Sequence, residues 1–127
     1  MIHFIQQVFK EVLENPLFNE LLIEKYFSKQ YIQRVDHTQL NYEEFVLHIK
    51  KLKEKVAEQE IEIFSHAENG NIIFTNHIAK STLKDGSKVS HKVLAEFTIQ
   101  NHKIIRCDEL TLLIEGDETA KNLGSER

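Results

Sequence analysis

One cysteine, Cys107, in 127 residues excludes an internal disulfide and any zinc cluster built from thiolates. No apolar run approaches the roughly 18 residues of a membrane-spanning helix. The opening stretch MIHFIQQVFKEVLEN places Lys10 and Glu11 where a secretory leader needs its apolar core, so a cytoplasmic protein away from membranes is expected. An excess of positive charge is missing too. With a net charge of -4 and a pI near 6.0, the chain lacks the electrostatic basis for non-specific nucleic-acid binding, and no nucleic-acid partner is expected. Its basic cluster, Lys50, Lys51, Lys53 and Lys55, is diluted by Glu54 and Glu58 and reads as a solvated helix face. There is no glycine-rich phosphate loop and no Ser-centred nucleophile elbow, which sets aside kinase, nucleotide-hydrolase and α/β-hydrolase chemistry. The seven histidines form neither HxH nor HExxH, so neither a metal site nor a cofactor is expected.

What remains is the composition of one ordinary globular domain, 41% hydrophobic and 28% charged. Its expected extent is residues 1–115, followed by a polar tail over 116–127. Ile2, Ile5, Phe9, Val12 and Leu13 recur at helical spacing opposite Gln6, Gln7, Lys10 and Glu11, which predicts an amphipathic helix over 2–14. Asn15 and Pro16 break it and suit an N-cap and first helical position, predicting a second helix over about 17–26 that buries Leu17 and Leu21. A short β-prone piece, Tyr31 to Val35, follows. Asn41 with Glu44 then resembles a capping box opening a third helix to about Ala57, with Phe45, Ile49, Leu52 and Val56 on its apolar stripe. From Glu60 the period changes from 3.6 to 2. Turn signals at Asn69-Gly70, Asp85-Gly86 and Asn101-His102 divide the remainder into four long strands of an antiparallel meander. Strands of this length should coil, making a concave face for the helices to cover.

The last of these strands, KIIRCDELTLLIE over 103–115, carries polar residues mid-strand where a purely structural strand would hold Val or Ile. Alternation sends Asp108 and Glu109 to opposite faces. Glu109 would share a face with Ile105, Cys107, Thr111 and Leu113, where desolvation would raise its pKa and suit it to acid/base work. It could instead face solvent and pair with a lysine. Arg106 and Asp108 would pair on the outer face. His77 falls among the inward positions Ile73, Thr75 and Ala79, as a ligand donor, a partner of Glu109 in an acid/base couple, or a satisfied core histidine. His48 would face a pocket mouth from the third helix, or sit half-exposed at its edge. Tyr31 and Gln33 could offer a ligand an aromatic wall and an amide, or Tyr31 could pack on the core with its hydroxyl at the rim. Phe45, Phe74 and Phe97 read as core, with Phe45 and Phe97 candidates for the pocket wall. The acid beside Cys107 opposes a thiolate, so that residue reads as a small apolar position rather than a nucleophile.

The stretches YFSKQYIQRVDH, LNYEEFVLHIKKLK, KDGSKV and IIRCDELTLLIEGDETAKNLGSER resemble the nuclear transport factor two-like superfamily, in particular its bacterial SnoaL-like, polyketide cyclase-like members. The resemblance implies a cystatin-like α+β fold: a cone-shaped half-barrel with three N-terminal helices packed on a strongly curved antiparallel sheet. It also implies a pocket for a small, largely apolar organic molecule and a homodimer packed through the outer sheet face. The pattern matches mainly at Glu109, His48 and His77. The chain departs from ketosteroid isomerase in lacking a tyrosine on its first helix, and it has no clear Asp-Arg-Asp set of the limonene epoxide hydrolases. Two function classes remain: acid/base chemistry of isomerase, cyclase or hydrolase type in the pocket, or a non-catalytic module acting through its sheet face.

Overall fold

The computed structural model describes residues 1–116, so the expected tail from residue 117 onward lies outside the described residues. The first helix, α1 (Ile2–Val8), runs on into a wider π-helical stretch, Phe9–Glu14. Ile5, Val8, Phe9 and Val12 are buried along it, close to the predicted stripe. Each such side chain contributes about 1.5–3 kcal/mol on full burial. Lys53 caps the far end, its Nζ donating to the Leu13 carbonyl at 2.7 Å and also to the Asn15 carbonyl.

The second helix differs from expectation. Asn15 Oδ1 does accept the Leu17 N–H at 3.0 Å, but that turn is not continued. Asn19 is the true cap, accepting the Leu21 N–H at 3.0 Å, and α2 spans Glu20–Tyr26. The later start rotates the buried face. Ile23 and Tyr26 point inward, while Leu17 and Leu21, predicted to be buried, are 72% and 73% exposed.

The short β-prone piece is one arm of a hairpin, β1 (Phe27–Val35) with β2 (Thr38–Asn41), turning at Asp36 and His37 with Asp36 at φ 56. The third helix, α3 (Tyr42–Lys55), opens on the capping box anticipated from Asn41 and Glu44: each backbone N–H donates to the other's side-chain oxygen, at 2.9 and 3.0 Å. Four long strands follow, β3 (Val56–Asn69), β4 (Ile72–Leu83), β5 (Lys88–Gln100) and β6 (Lys103–Glu115). Gly70 supplies a φ of +63 at the first turn, and Asn101 and His102 both adopt positive φ at the third, the pairing a two-residue hairpin requires.

The sheet order is β2-β1-β6-β5-β4-β3, open rather than closed. Its pairs are antiparallel except β1 with β6, which run parallel because the meander returns to the first hairpin in the same direction. The pairing register shifts near Phe64 and near Ile105, the irregularities that let long strands bend. The second shift also corrects the face assignment, since Ile104 rather than Ile105 turns into the core. Helices α1 and α3 cover the concave face, and their apolar stripes meet Ile73, Val93, Ala95, Phe97 and Ile104 from the sheet. No helix of the described residues is long and apolar enough to cross a membrane.

Candidate functional site

The middle of the concave face carries the small side chains Thr75, Ala79 and Ala95 on β4 and β5. Thr75, Ala95 and Glu109 lie in one row across β4, β5 and β6, and Ala79 stands opposite His91 in the next but one. Small residues there leave space that Phe9 and Phe45 do not fill from the helices. The result is a cavity of about 120 Å³. All eight residues singled out from the sequence, Tyr31, Gln33, Phe45, His48, His77, Phe97, Cys107 and Glu109, lie on its wall. Phe74, grouped with the core aromatics above, does not. It is 46% exposed on the outer face because it falls on the opposite parity of β4 from His77.

Position on the wall differs from what the sequence suggested at several points. His48 is buried at 3% exposure rather than half-exposed, because it stands one turn from Phe45 and adjacent to Ile49 on the inward side of α3. Tyr31 is 1% exposed, so its hydroxyl is not at a rim. It donates to Gln33 Oε1 at 2.7 Å, and the phenol proton is thereby engaged within the protein. The His77–Glu109 couple does not form. Thr75 Oγ1 and His77 Nδ1 share a hydrogen bond of 2.9 Å instead, and the Phe9 ring packs on the imidazole at 4.9 Å. Glu109 sits one row away and two strands across. Arg106 and Asp108 pair on the outer face at 3.0 Å, as alternation required.

The electrostatics follow from burial. Desolvation lowers the His77 pKa to about 4, so the imidazole is neutral. Desolvation, then the nearby Asp36 carboxylate, raises Glu109 to about 7, against a small opposing effect of the Cys107 thiol at 3.8 Å. Burial and the neighbouring acids Glu109 and Asp108 push the Cys107 thiol well up, which keeps it protonated and unreactive. Tyr31 is likewise held well above its usual range by burial and by Cys107 and Glu109. Asp36 reaches the site through backbone as well as charge. Its N–H donates to the Glu109 carbonyl at 3.0 Å, and its carboxylate accepts the Thr111 N–H at 2.9 Å and hydroxyl at 2.6 Å. The β1–β2 turn is thus latched to β6 directly beside the acid.

Sequence reasoning missed His91, Gln59 and Ser81 on the same wall, while Thr111 lies there on the face it was expected to share with Glu109. His91 had a usable signal, since it alternates in step with Val89, Val93, Ala95 and Phe97, whose burial marks the inward face of β5. Gln59 and Ser81 are joined by a 3.2 Å hydrogen bond across β3 and β4, a pairing that depends on register. Among the described residues no three of His, Cys, Asp or Glu are grouped to hold a metal ion.

No family model matches the chain. It is 30% identical over 122 residues to the uncharacterized protein C11D3.04c of Schizosaccharomyces pombe, covering 96% of this chain and 93% of that one. The chain belongs to the family of C11D3.04c. Its fold is that of the nuclear transport factor two-like superfamily, SnoaL-like type. A candidate polyketide cyclase from Acidithiobacillus ferrooxidans superposes with a TM-score of 0.74 at 13% identity, over 98% of this chain and 94% of that one. A candidate SnoaL-like polyketide cyclase from Jannaschia sp. CCS1 gives 0.71 at 11% identity, over 87% and 83%. At such identities the likeness is one of fold. In this C11D3.04c-family chain, the space between helices and sheet is the cavity whose wall carries Glu109.

Proposed function

We propose that this protein binds a small, largely apolar organic molecule in the cavity between its helices and sheet, and that Glu109 exchanges a proton with it. Glu109 carries the reading. It is a carboxyl group on the cavity wall with a pKa raised to about 7, and among the described residues its side chain has only a weak thiol contact at 3.8 Å. A group titrating near neutrality can both give and take a proton, which suits isomerase, cyclase or hydrolase chemistry at a carbonyl-type substrate. The SnoaL-like neighbours with candidate cyclase activity are consistent with that class. His77, neutral and fixed through Nδ1 by Thr75, is the group that orients the ligand. The test is an NMR titration of the Glu109 carboxyl. A midpoint near 7 is expected, falling in an Asp36→Asn variant because a raising charge is removed; a midpoint at the ordinary value of about 4.3 would sink the assignment.

A second reading rests on the outer sheet face, where Phe64, Phe74, Leu94, Leu110, Leu112 and Ile114 are between 46% and 64% exposed. A contiguous apolar face of this kind marks an interaction surface. Association with a second copy of the chain accounts for it and is compatible with the cavity reading, since the two use opposite faces of β6.

A further inference from the structure

Size and charge on the cavity wall narrow the ligand further, granted the binding reading above. The cavity measures about 120 Å³. An apolar cavity of about 150 Å³ is enough to hold benzene, so this one accommodates a molecule of about one ring. The fused-ring scale of an aromatic polyketide does not fit without separating α3 from the sheet, where Phe45 is clamped by Phe27 and Tyr31 at ring centroids 4.8 and 4.9 Å away.

Charge gives an independent bound. Among the described residues, neither lysine nor arginine lines the cavity. Lys53 holds the Leu13 and Asn15 carbonyls, Arg106 is paired with Asp108 outside, and Arg34, next to β6 in the sheet, is exposed and donates from Nε to Gln39 Oε1 at 3.2 Å. Among the described residues Glu109 is the carboxyl group on the wall, and Asp36 stands near it as a second acid. An anionic ligand would meet Glu109 inside the cavity, with the charge of the exposed Asp36 adding a solvent-screened repulsion. Matching it with a protonated His48, His77 or His91 would require desolvating two charges rather than none. The polar groups on the wall are also largely engaged: Tyr31 with Gln33, His77 with Thr75, and Gln59 with Ser81. Glu109 retains hydrogen-bonding capacity for a ligand oxygen, accepting from a hydroxyl when ionised and donating to a carbonyl when protonated.

We infer that the cavity selects uncharged carbonyl or hydroxyl compounds of about one ring, and rejects both carboxylates of equal size and fused-ring ketones. The experiment is a ¹H–¹⁵N NMR titration of the full chain at neutral pH with three probes: acetophenone, benzoate and the tricyclic ketone anthrone. Acetophenone should give saturable shifts at Cys107, Glu109 and His77. Benzoate should bind about tenfold or more weakly, reflecting the cost of burying an uncompensated ion, and anthrone should give none. Benzoate binding as tightly as acetophenone, or saturable binding of anthrone, would overturn the selectivity while leaving the binding reading intact. If none of the three binds but a smaller neutral probe, cyclopentanone, also leaves the cavity amides unmoved, the binding reading itself fails. An isosteric Glu109→Gln variant, checked for an unchanged thermal midpoint, should narrow the gap between acetophenone and benzoate. An unchanged gap in that variant would remove Glu109 as the source of charge selection.

Discussion

Glu109 and His77 stand on the same wall and are perturbed in opposite senses by the loss of water, to which the Asp36 carboxylate adds at Glu109. Glu109 is raised from 4.5 to about 7, so the folded chain holds its proton more tightly than the unfolded chain does. Its contribution to stability is therefore present below 4.5 and is lost as pH climbs toward 7. His77 is lowered from 6.5 to about 4, so the unfolded chain binds more protons across that interval and stability rises with pH through it. Each shift corresponds to about 3 kcal/mol at its full extent. Between pH 4.5 and 6.5 the two slopes oppose each other, and the wild-type protein should be nearly indifferent to pH as far as this pair is concerned. Removing one group exposes the other. Urea midpoints of Glu109→Gln should rise across the window and those of His77→Gln should fall. Parallel profiles for the two variants would show that neither group is desolvated as described.

At the scale of elements, the latch between the β1–β2 turn and β6 holds Glu109 in place. Asp36 contributes three hydrogen bonds there, two of them to Thr111, all close to the surface. Asp36→Ala should cost about 1–2 kcal/mol of stability and accelerate amide exchange at Thr111 specifically; unchanged exchange there would show that the latch does not hold. Nothing in the local sequence announced this contact, because it joins residues 75 positions apart. What was legible was local or periodic. The Asn41–Glu44 capping box is a matter of four consecutive residues, and the change from period 3.6 to period 2 divided helices from sheet. Alternation along β6 correctly put Cys107 and Glu109 on one face and Arg106 and Asp108 on the other. Alternation failed at Ile105 because a register shift between β5 and β6 resets parity, and such a shift is a property of the pair. The α2 start was misplaced because Asn15 and Asn19 make the same side-chain bond to the backbone two residues on, and only the second is continued into a helix. The His77–Glu109 couple was a guess about distance across strands, which only register decides.

The sheet presents one face to the helices, and among the described residues nothing covers the other. Strands β3 to β6 are 12 to 14 residues long. At about 3.3 Å per residue and about 4.8 Å between strands, four of them offer a face of about 800 Å². A standard stable interface buries about 800 Å² per partner, so the exposed face is of the size a second copy would cover. Its composition suits a two-fold contact. Leu94, Leu110 and Leu112 form an apolar centre, while Arg106, Glu96 and Asp108 supply both signs of charge beside it, so the same patch can serve both partners. The open sheet's edges are less inviting. On β3 the Ile61 N–H is already taken by the Glu14 carboxylate at 2.7 Å, and Glu58, Glu60, Glu62 and Glu68 line that strand with charge. Association should therefore be face to face, and sedimentation of the wild-type chain at micromolar concentration should report a dimer. Leu110 is 64% exposed, so Leu110→Glu should leave the monomer fold and its far-UV circular dichroism intact while two desolvated carboxylates at the centre of the contact drive the dimer apart. A wild-type protein that sediments as a strict monomer would leave the apolar face without its partner and remove the dimer from the picture.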